Sequence, residues 1–170
     1  EVEQSLQNKS LDYIRKLGLI EHCIFGVDTQ EIAIQISKLR FFISLLIEQD
    51  VDDSKDNRDI RALPNLETKF VAANTLIGLK VRKGSEYIKS NSTVDIENEL
   101  NNIRRAYFYV SDSQKKKNMI RVENTLKENL KEQLIRTDGF LDEETKKIID
   151  FNPFDQNATA EWFDPEWMFG

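Results

Sequence analysis

The sequence predicts a helix-rich α/β fold that combines half of a doubly wound sheet with a long helical hairpin. Three observations support this class. In the first 80 residues, two short apolar runs that end in polar residues alternate with helical segments. Residues 95–135 then place apolar side chains three and four positions apart, the spacing of packed helices. The composition, 39% hydrophobic and 32% charged, is that of a folded globular chain.

The first predicted helix covers residues 4–17. Leu6, Ile14 and Leu17 lie near one face of it, with polar residues between them. Gly18 follows directly and is its predicted stop.

Residues 23–28 form an apolar run that ends in an acid, which predicts a buried parallel strand. Cys23, at its start, is predicted to be a small buried side chain. Thr29 is the predicted N-cap of a helix over residues 30–48. Because that helix is apolar on almost every side, it is expected to be buried or packed on two sides.

An acid-rich loop is predicted over residues 49–62, with Pro64 at its end. Residues 69–74 are apolar and end in Asn74, which predicts a second buried strand. The order helix, strand, helix, strand is that of half a doubly wound sheet.

Two helices are predicted next, over residues 95–110 and 114–135, and they are expected to pack as an antiparallel hairpin with Ser113 capping the second. The predicted apolar stripes are formed by Ile96, Leu100, Ile103, Tyr107 and Val110, and by Met119, Val122, Leu126, Leu130 and Leu134.

A short helix is predicted over residues 142–150, with Asp142 as its N-cap. The segment that follows is rich in aromatic and acidic residues without a clear period. The predicted organisation is therefore a sheet-containing unit over 1–80, the helical hairpin over 81–139 and the tail over 140–170.

Several segments, taken in order, resemble the central part of type IIG restriction–modification enzymes, which fuse a nuclease to an adenine-specific DNA methyltransferase of bacteria. The resemblance implies a partial Rossmann-like methyltransferase core with the helical hairpin inserted after its second strand. The segments that carry it are Phe25-Gly26-Val27-Asp28 with Ile32 to Leu46, Leu63-Pro64-Asn65-Leu66, Lys69 to Leu76, Asn152-Pro153-Phe154 and Asp164-Pro165-Glu166-Trp167-Met168-Phe169-Gly170.

The resemblance implies S-adenosylmethionine as cofactor and adenine in DNA as methyl acceptor. Asp28 matches the acid that holds the cofactor's ribose hydroxyls, and a carboxylate accepts two such hydrogen bonds. Asn74 matches the residue that meets the cofactor's adenine, and Thr29 and Ala73 would line the same pocket. From the residues alone, the alternative interpretations are that Asp28 is a helix cap and that Asn74 is a turn residue.

The family's Gly-rich loop is expected before residue 1, and its catalytic Asn-Pro-Pro-Tyr motif after Gly170. Asn152-Pro153-Phe154-Asp155 lacks the second proline and is assigned no catalysis. We therefore predict no catalytic residue in this chain. The chain alone is expected to be inactive, and the remaining methyltransferase segments are its expected partners.

Nucleic-acid contact is predicted for the hairpin, because residues 101–136 carry nine basic and four acidic side chains in a chain whose net charge is −6. A solvated helix face is the alternative interpretation. The candidate DNA-binding residues are Arg104, Arg105, Lys115, Lys116, Lys117 and Arg121.

No metal site is predicted, because His22 is the only histidine and the acidic loop lacks the glycine and closing glutamate of an EF-hand. No apolar stretch is long enough to span a bilayer and no signal peptide is recognised, so a cytoplasmic location without a membrane partner is expected. An alternative function is a helical interaction or scaffold module with no ligand of its own. The aromatic residues of the tail would then favour self-association if they are exposed.

Overall fold

The structure is a computed structural model that describes residues 11–80, 90–136 and 141–169. Its helices are α1 (Leu11–His22), α2 (Glu31–Leu46), α3 (Asn91–Tyr107), α4 (Ser113–Arg136), α5 (Asp142–Asp150) and α6 (Pro165–Met168). Its strands are β1 (Gly26–Asp28), β2 (Phe70–Ala73) and β3 (Thr159–Ala160), and 3-10 turns lie at Asp56–Asp59 and Glu67–Lys69.

The three strands form one parallel sheet with β2 in the centre. Asp28 of β1 is opposite Ala72 of β2, and Ala73 is opposite Ala160 of β3. A parallel pair needs a crossover connection, and α2 supplies it between β1 and β2. The predicted helix-rich α/β class is confirmed.

The central strand separates two apolar clusters, because successive side chains of a strand point to opposite faces. Phe70 and Ala72 pack with side chains of α1 and α2. Val71 and Ala73 pack with side chains of α3, α4, α5 and the C-terminal segment. The sheet is therefore covered by helices on both faces, as its fully buried central strand requires.

The hairpin of α3 and α4 follows the second strand, β2, in the chain, as predicted. The cap of α4 is one residue earlier than expected, since the Asp112 side chain accepts a hydrogen bond from the Lys115 amide at 2.7 Å. Asp142 is likewise the first residue of α5, and Leu141 is its N-cap. The domain boundaries predicted near 81 and 139 meet the ranges 81–89 and 137–140, outside the described residues, and stay predictions.

Two expectations about the N-terminal half are wrong. Gly18 does not stop the first helix, which continues to His22. Burial of Ile20 outweighs the roughly 1 kcal/mol that an interior glycine costs a helix. Thr29 does not cap α2, whose N-cap is Gln30. Residues 4–10 of the predicted first helix lie outside the described residues.

The expectation that α2 is buried, or packed on two sides, is also wrong. Only Ile34, Lys38 and Leu45 are buried in it, while one continuous face is open to solvent. That exposed face is formed by Ile32, Ile36, Leu39, Ile43 and Ile47, each exposed by half or more.

The C-terminal segment packs onto the hairpin instead of exposing its aromatic side chains. Trp162 and Trp167 are buried, and β3, which the sequence did not predict, extends the sheet. Asp164 caps α6 by accepting hydrogen bonds from the amides of Glu166 and Trp167. None of the helices in the described ranges combines the length and apolar character that crossing a bilayer requires.

Candidate functional site

The predicted cofactor residues Asp28 and Asn74 lie at the same edge of the sheet. Asp28 is the last residue of β1 and is opposite Ala72. Asn74 directly follows β2, and its amide donates a hydrogen bond to the carbonyl of Ala160 in β3. The carboxyl ends of adjacent parallel strands form the edge at which open α/β sheets bind ligands.

Each of the two side chains also has a local role. An Asp28 carboxylate oxygen accepts a hydrogen bond from the Gln30 amide at 2.8 Å, just before α2. The Asn74 side-chain oxygen accepts one from the Leu76 amide at 3.1 Å. The turn interpretation is therefore realised for Asn74, whereas Asp28 bonds the amide of the N-cap residue Gln30 and so holds the turn just before α2 without capping it. Within the described ranges, the second Asp28 oxygen and the Asn74 amide nitrogen make no hydrogen bond with protein.

The two flanking residues differ in their access to this edge. Asp28 and Thr29 are exposed and Asn74 is half-buried, so the edge is an open surface. The methyl group of Ala73, in contrast, is buried in the cluster beneath the hairpin. Only the backbone of Ala73 is therefore placed to border a ligand at the strand end.

The six basic residues predicted to contact DNA do not form one surface. Arg104 is 5% exposed, and its guanidinium donates hydrogen bonds to the Trp167 carbonyl and to Glu123, at 2.8 and 3.1 Å. Arg104 is therefore an interior residue, which corrects its assignment to a DNA-binding face. Lys116 is half-buried and donates a hydrogen bond to Asn65.

The other four of the six candidates are exposed. Lys117 and Arg121 are four residues apart on α4 and share one face, since side chains at this spacing are neighbours on a helix. A prediction of DNA contact by the hairpin is thus reduced to Arg105, Lys115, Lys117 and Arg121.

A buried charged cluster, which the sequence did not suggest, joins the two hairpin helices. Glu123 lies on α4, for which a solvated charged face was the alternative interpretation, yet it is 1% exposed. One carboxylate oxygen is 3.1 Å from Arg104 and 3.3 Å from Lys127. Lys127 also donates a hydrogen bond to the Phe151 carbonyl. Burial lowers the pKa of the Lys127 ammonium, and the neighbouring Glu123 carboxylate raises that pKa in part.

The remaining candidates stay without a chemical role. Cys23 is exposed, contrary to prediction, because the helix before it ends at His22 and β1 begins only at Gly26. Across the described ranges, no group of three potential ligands is arranged to hold a metal ion. Asn152 accepts a hydrogen bond from the Phe154 amide and so forms a turn.

Comparison with known proteins links part of the chain to restriction–modification. The chain is 38% identical over 66 residues to a protein of Methanocaldococcus jannaschii assigned as a type II restriction enzyme and methyltransferase. The matched segment is 39% of this chain and 5% of that relative, so the chain spans a small part of the relative's length. This match supports a relationship to restriction–modification proteins.

No family model matches the chain. No solved structure matches it significantly either, so the Rossmann-like methyltransferase core stays a prediction.

Proposed function

We propose that the chain is the central part of a DNA adenine methyltransferase of the restriction–modification type. The proposal is carried by Asp28 and Asn74, which lie at the carboxyl ends of adjacent parallel strands. The match to a relative assigned as a restriction enzyme and methyltransferase supports the same class of protein. In the whole enzyme, S-adenosylmethionine would supply the methyl group and adenine in DNA would receive it.

The chain's own contribution would be to bind and orient the cofactor. The Asp28 carboxylate has one oxygen engaged with Gln30, which leaves the other to accept hydrogen bonds from ribose hydroxyls. The Asn74 amide nitrogen would donate to a ring nitrogen of the cofactor's adenine, while its oxygen holds the turn. Both residues therefore fit the cofactor without losing their local contacts.

Methyl transfer itself would depend on segments outside this chain. Direct attack by the adenine amino group needs a flipped base and precise positioning instead of a covalent enzyme nucleophile. Within this chain we assign no catalytic residue, and DNA contact is proposed only for the exposed Arg105, Lys115, Lys117 and Arg121 of the hairpin.

The test is calorimetric titration of S-adenosylmethionine into the chain and into Asp28→Asn. Asparagine keeps an oxygen for the Gln30 amide but removes the charge and one acceptor. We expect affinity to fall roughly tenfold or more, since a hydrogen bond to a charged group contributes about 1.5–3 kcal/mol. Asp50→Asn, at an exposed position after α2, is the matched control. Equal affinity of the chain and Asp28→Asn, or no binding to either, would contradict a cofactor site formed by this chain.

A second candidate function is an interaction module, and the exposed face of α2 supports it. Five large aliphatic side chains on one helix face are unusual for an isolated domain and typical of an interface. A second copy of the chain is the proposed occupant. Sedimentation equilibrium should show a dimer that Ile36→Ser with Ile43→Ser disrupts, whereas Val122→Ser, at an exposed position of α4, leaves it intact. A monomer at all concentrations would reject this alternative.

A further inference from the structure

A small polar cavity lies between the α1–β1 connection, the start of β2 and helix α3. Its volume is about 130 Å³, which is room for several water molecules or one small polyatomic anion. The lining residues that matter here are Glu21, Phe25, Thr68, Lys69, Arg104 and Arg105. None of them belongs to the candidate cofactor site at Asp28 and Asn74.

Two buried groups of this cavity lack a hydrogen-bond partner. Thr68 is 3% exposed and Arg104 is 5% exposed. Within the described ranges, the Thr68 hydroxyl and the Arg104 Nε have no acceptor, although the other nitrogens of that guanidinium are engaged. Buried donors are nearly always paired in folded proteins, so two unpaired donors on residues that line one cavity favour a ligand beside them.

Positive charge is in excess around the same cavity. Among the described residues, Lys69, Arg104 and Arg105 line it against the one carboxylate of Glu21, although the chain as a whole carries −6. Behind the cavity, the one carboxylate of Glu123 lies against two cations, Arg104 and Lys127. It cannot neutralise both, so the excess of positive charge persists.

The Glu21 carboxylate is already engaged, because it accepts a hydrogen bond from the Tyr109 hydroxyl and lies 3.3 Å from His22.

Lys69 is fixed in place at the cavity wall. Its ammonium donates a hydrogen bond to the Glu21 carbonyl at 2.6 Å and lies 4.2 Å from the centre of the Phe25 ring. An ammonium has three donors, so two remain for a ligand. Burial lowers the pKa of Lys69, Glu21 raises it in part, and the nearby Arg105 lowers it again. An anion in the cavity would stabilise the charged Lys69 ammonium, because its attraction would offset both the desolvation cost of burial and the repulsion from Arg105.

We propose that this cavity binds a phosphate group. Four donors of three chemical types line it: a hydroxyl, an ammonium and two guanidinium groups. A phosphate offers more acceptor oxygens than a carboxylate, and arginine matches its geometry closely. The phosphate is that of a free phosphate or of a nucleic-acid backbone, which share this chemistry. The site shares Arg105 with the DNA contacts proposed above but none of the cofactor residues, so binding of free phosphate does not rest on the proposed methyltransferase function.

The experiment is a titration of the chain followed by amide NMR shifts, at ionic strength held constant with chloride. One arm adds inorganic phosphate, and the other adds a short DNA duplex. We expect saturable shifts at residues 21–25, 68–69 and 104–105. Shifts with inorganic phosphate identify a free phosphate as a ligand, and shifts with the duplex alone identify a backbone phosphate. Absence of saturable shifts at these residues in both arms would overturn the proposal.

Matched variants distinguish phosphate binding in the cavity from non-specific attraction of phosphate to the positive charge of the hairpin. Arg105→Gln removes an exposed guanidinium at the cavity mouth, and we expect at least tenfold weaker binding. Thr68→Val keeps the side-chain volume and removes only the hydroxyl, and we expect several-fold weaker binding. Lys131→Gln removes an exposed cation of the hairpin that lies outside the cavity and outside the proposed DNA contacts, and it should leave affinity unchanged. Equal weakening by Lys131→Gln and Arg105→Gln would assign the effect to net charge and overturn the proposed site.

Discussion

Glu123 holds together the two hairpin helices, and replacing it by glutamine should cost much of the chain's stability. The carboxylate lies 3.1 Å from Arg104 and 3.3 Å from Lys127, and all three residues are at most 5% exposed. At an effective dielectric constant of about 20, each contact is worth about 5 kcal/mol of Coulomb attraction before desolvation. Glu123→Gln keeps the shape but leaves two buried cations uncompensated.

Removing one partner of a buried ion pair typically costs about 3–5 kcal/mol, which we expect for Glu123→Gln. For a chain of this size, that loss lowers the melting temperature by roughly 6–20 °C. Urea unfolding followed by fluorescence of the buried Trp162 and Trp167 measures it directly. Glu128→Gln, at an exposed position of the same helix, is the control and should lie within about 0.5 kcal/mol of the parent.

A loss of stability below about 0.5 kcal/mol for Glu123→Gln would refute this reasoning, because it would show that water screens the three charges as it does at a protein surface. A second variant tests the same idea from the other direction. Replacing all three residues together, by Arg104→Met, Glu123→Leu and Lys127→Met, should restore most of the stability, since apolar substitutes remove the desolvation cost along with the charges.

The effect of Glu123→Gln should depend on pH through Lys127. Burial lowers the pKa of Lys127 below its ordinary 10.5, and Glu123 offsets part of that shift. The variant therefore has a still lower folded pKa, and the unfolded chain binds more protons between that pKa and 10.5. Stability rises with pH wherever the unfolded state binds more protons. The defect should accordingly shrink as pH rises from the folded pKa of Lys127 in the variant to its folded pKa in the parent, and stay constant above that.

Three further substitutions test other contacts by urea unfolding. Burial, and then the hydrogen bond to Glu21, raises the pKa of the Tyr109 hydroxyl, so Tyr109 contributes stability that is present below pH 10.0 and lost as pH rises further. Tyr109→Phe should therefore flatten the decline of stability at high pH. An unchanged slope would contradict this prediction. A Cβ at Gly26 would lie 2.6 Å from Cε1 of the buried Phe70, which is closer than two carbon atoms can pack. Gly26→Ala should therefore lower the free energy of unfolding by about 1–3 kcal/mol. A neutral result would show that the Phe70 ring moves freely. The Asn65 side-chain amide donates to the carbonyls of Tyr107 and Val110 at 2.6 and 2.8 Å, so Asn65→Ala should cost about 1–3 kcal/mol. A loss below about 0.5 kcal/mol would contradict it.

The placement of Asp28 and Asn74 follows largely from the sequence. Each ends an apolar run of strand length, and two parallel strands bring their carboxyl ends to one edge. The spacing does not say whether a residue at that edge binds a ligand or only a neighbouring amide. Both side chains bind an amide with one atom and leave another unused, so the cofactor role stays a prediction.

The periodic stripes predicted the hairpin but not all of its buried residues. Leu100, Leu130 and Leu134 are buried as expected, whereas Val122 is half exposed. The neighbouring Glu123 takes its place in the interior, because Arg104 of α3 lies opposite. A pattern of apolar and polar residues cannot distinguish a solvated charge from one that is neutralised by a partner on another helix.

The sequence by itself determined the local features of this protein: its helix periods, its two apolar strands and the polar residues that end them. These depend on neighbours three or four positions away, or on alternation within a strand. Only the tertiary structure decided which charges are buried, that α2 keeps an exposed apolar face, and that residues 159–160 add a third strand. Those features depend on contacts between segments far apart in the chain, such as Arg104 with Glu123 and Lys69 with Glu21, and no local pattern encodes them.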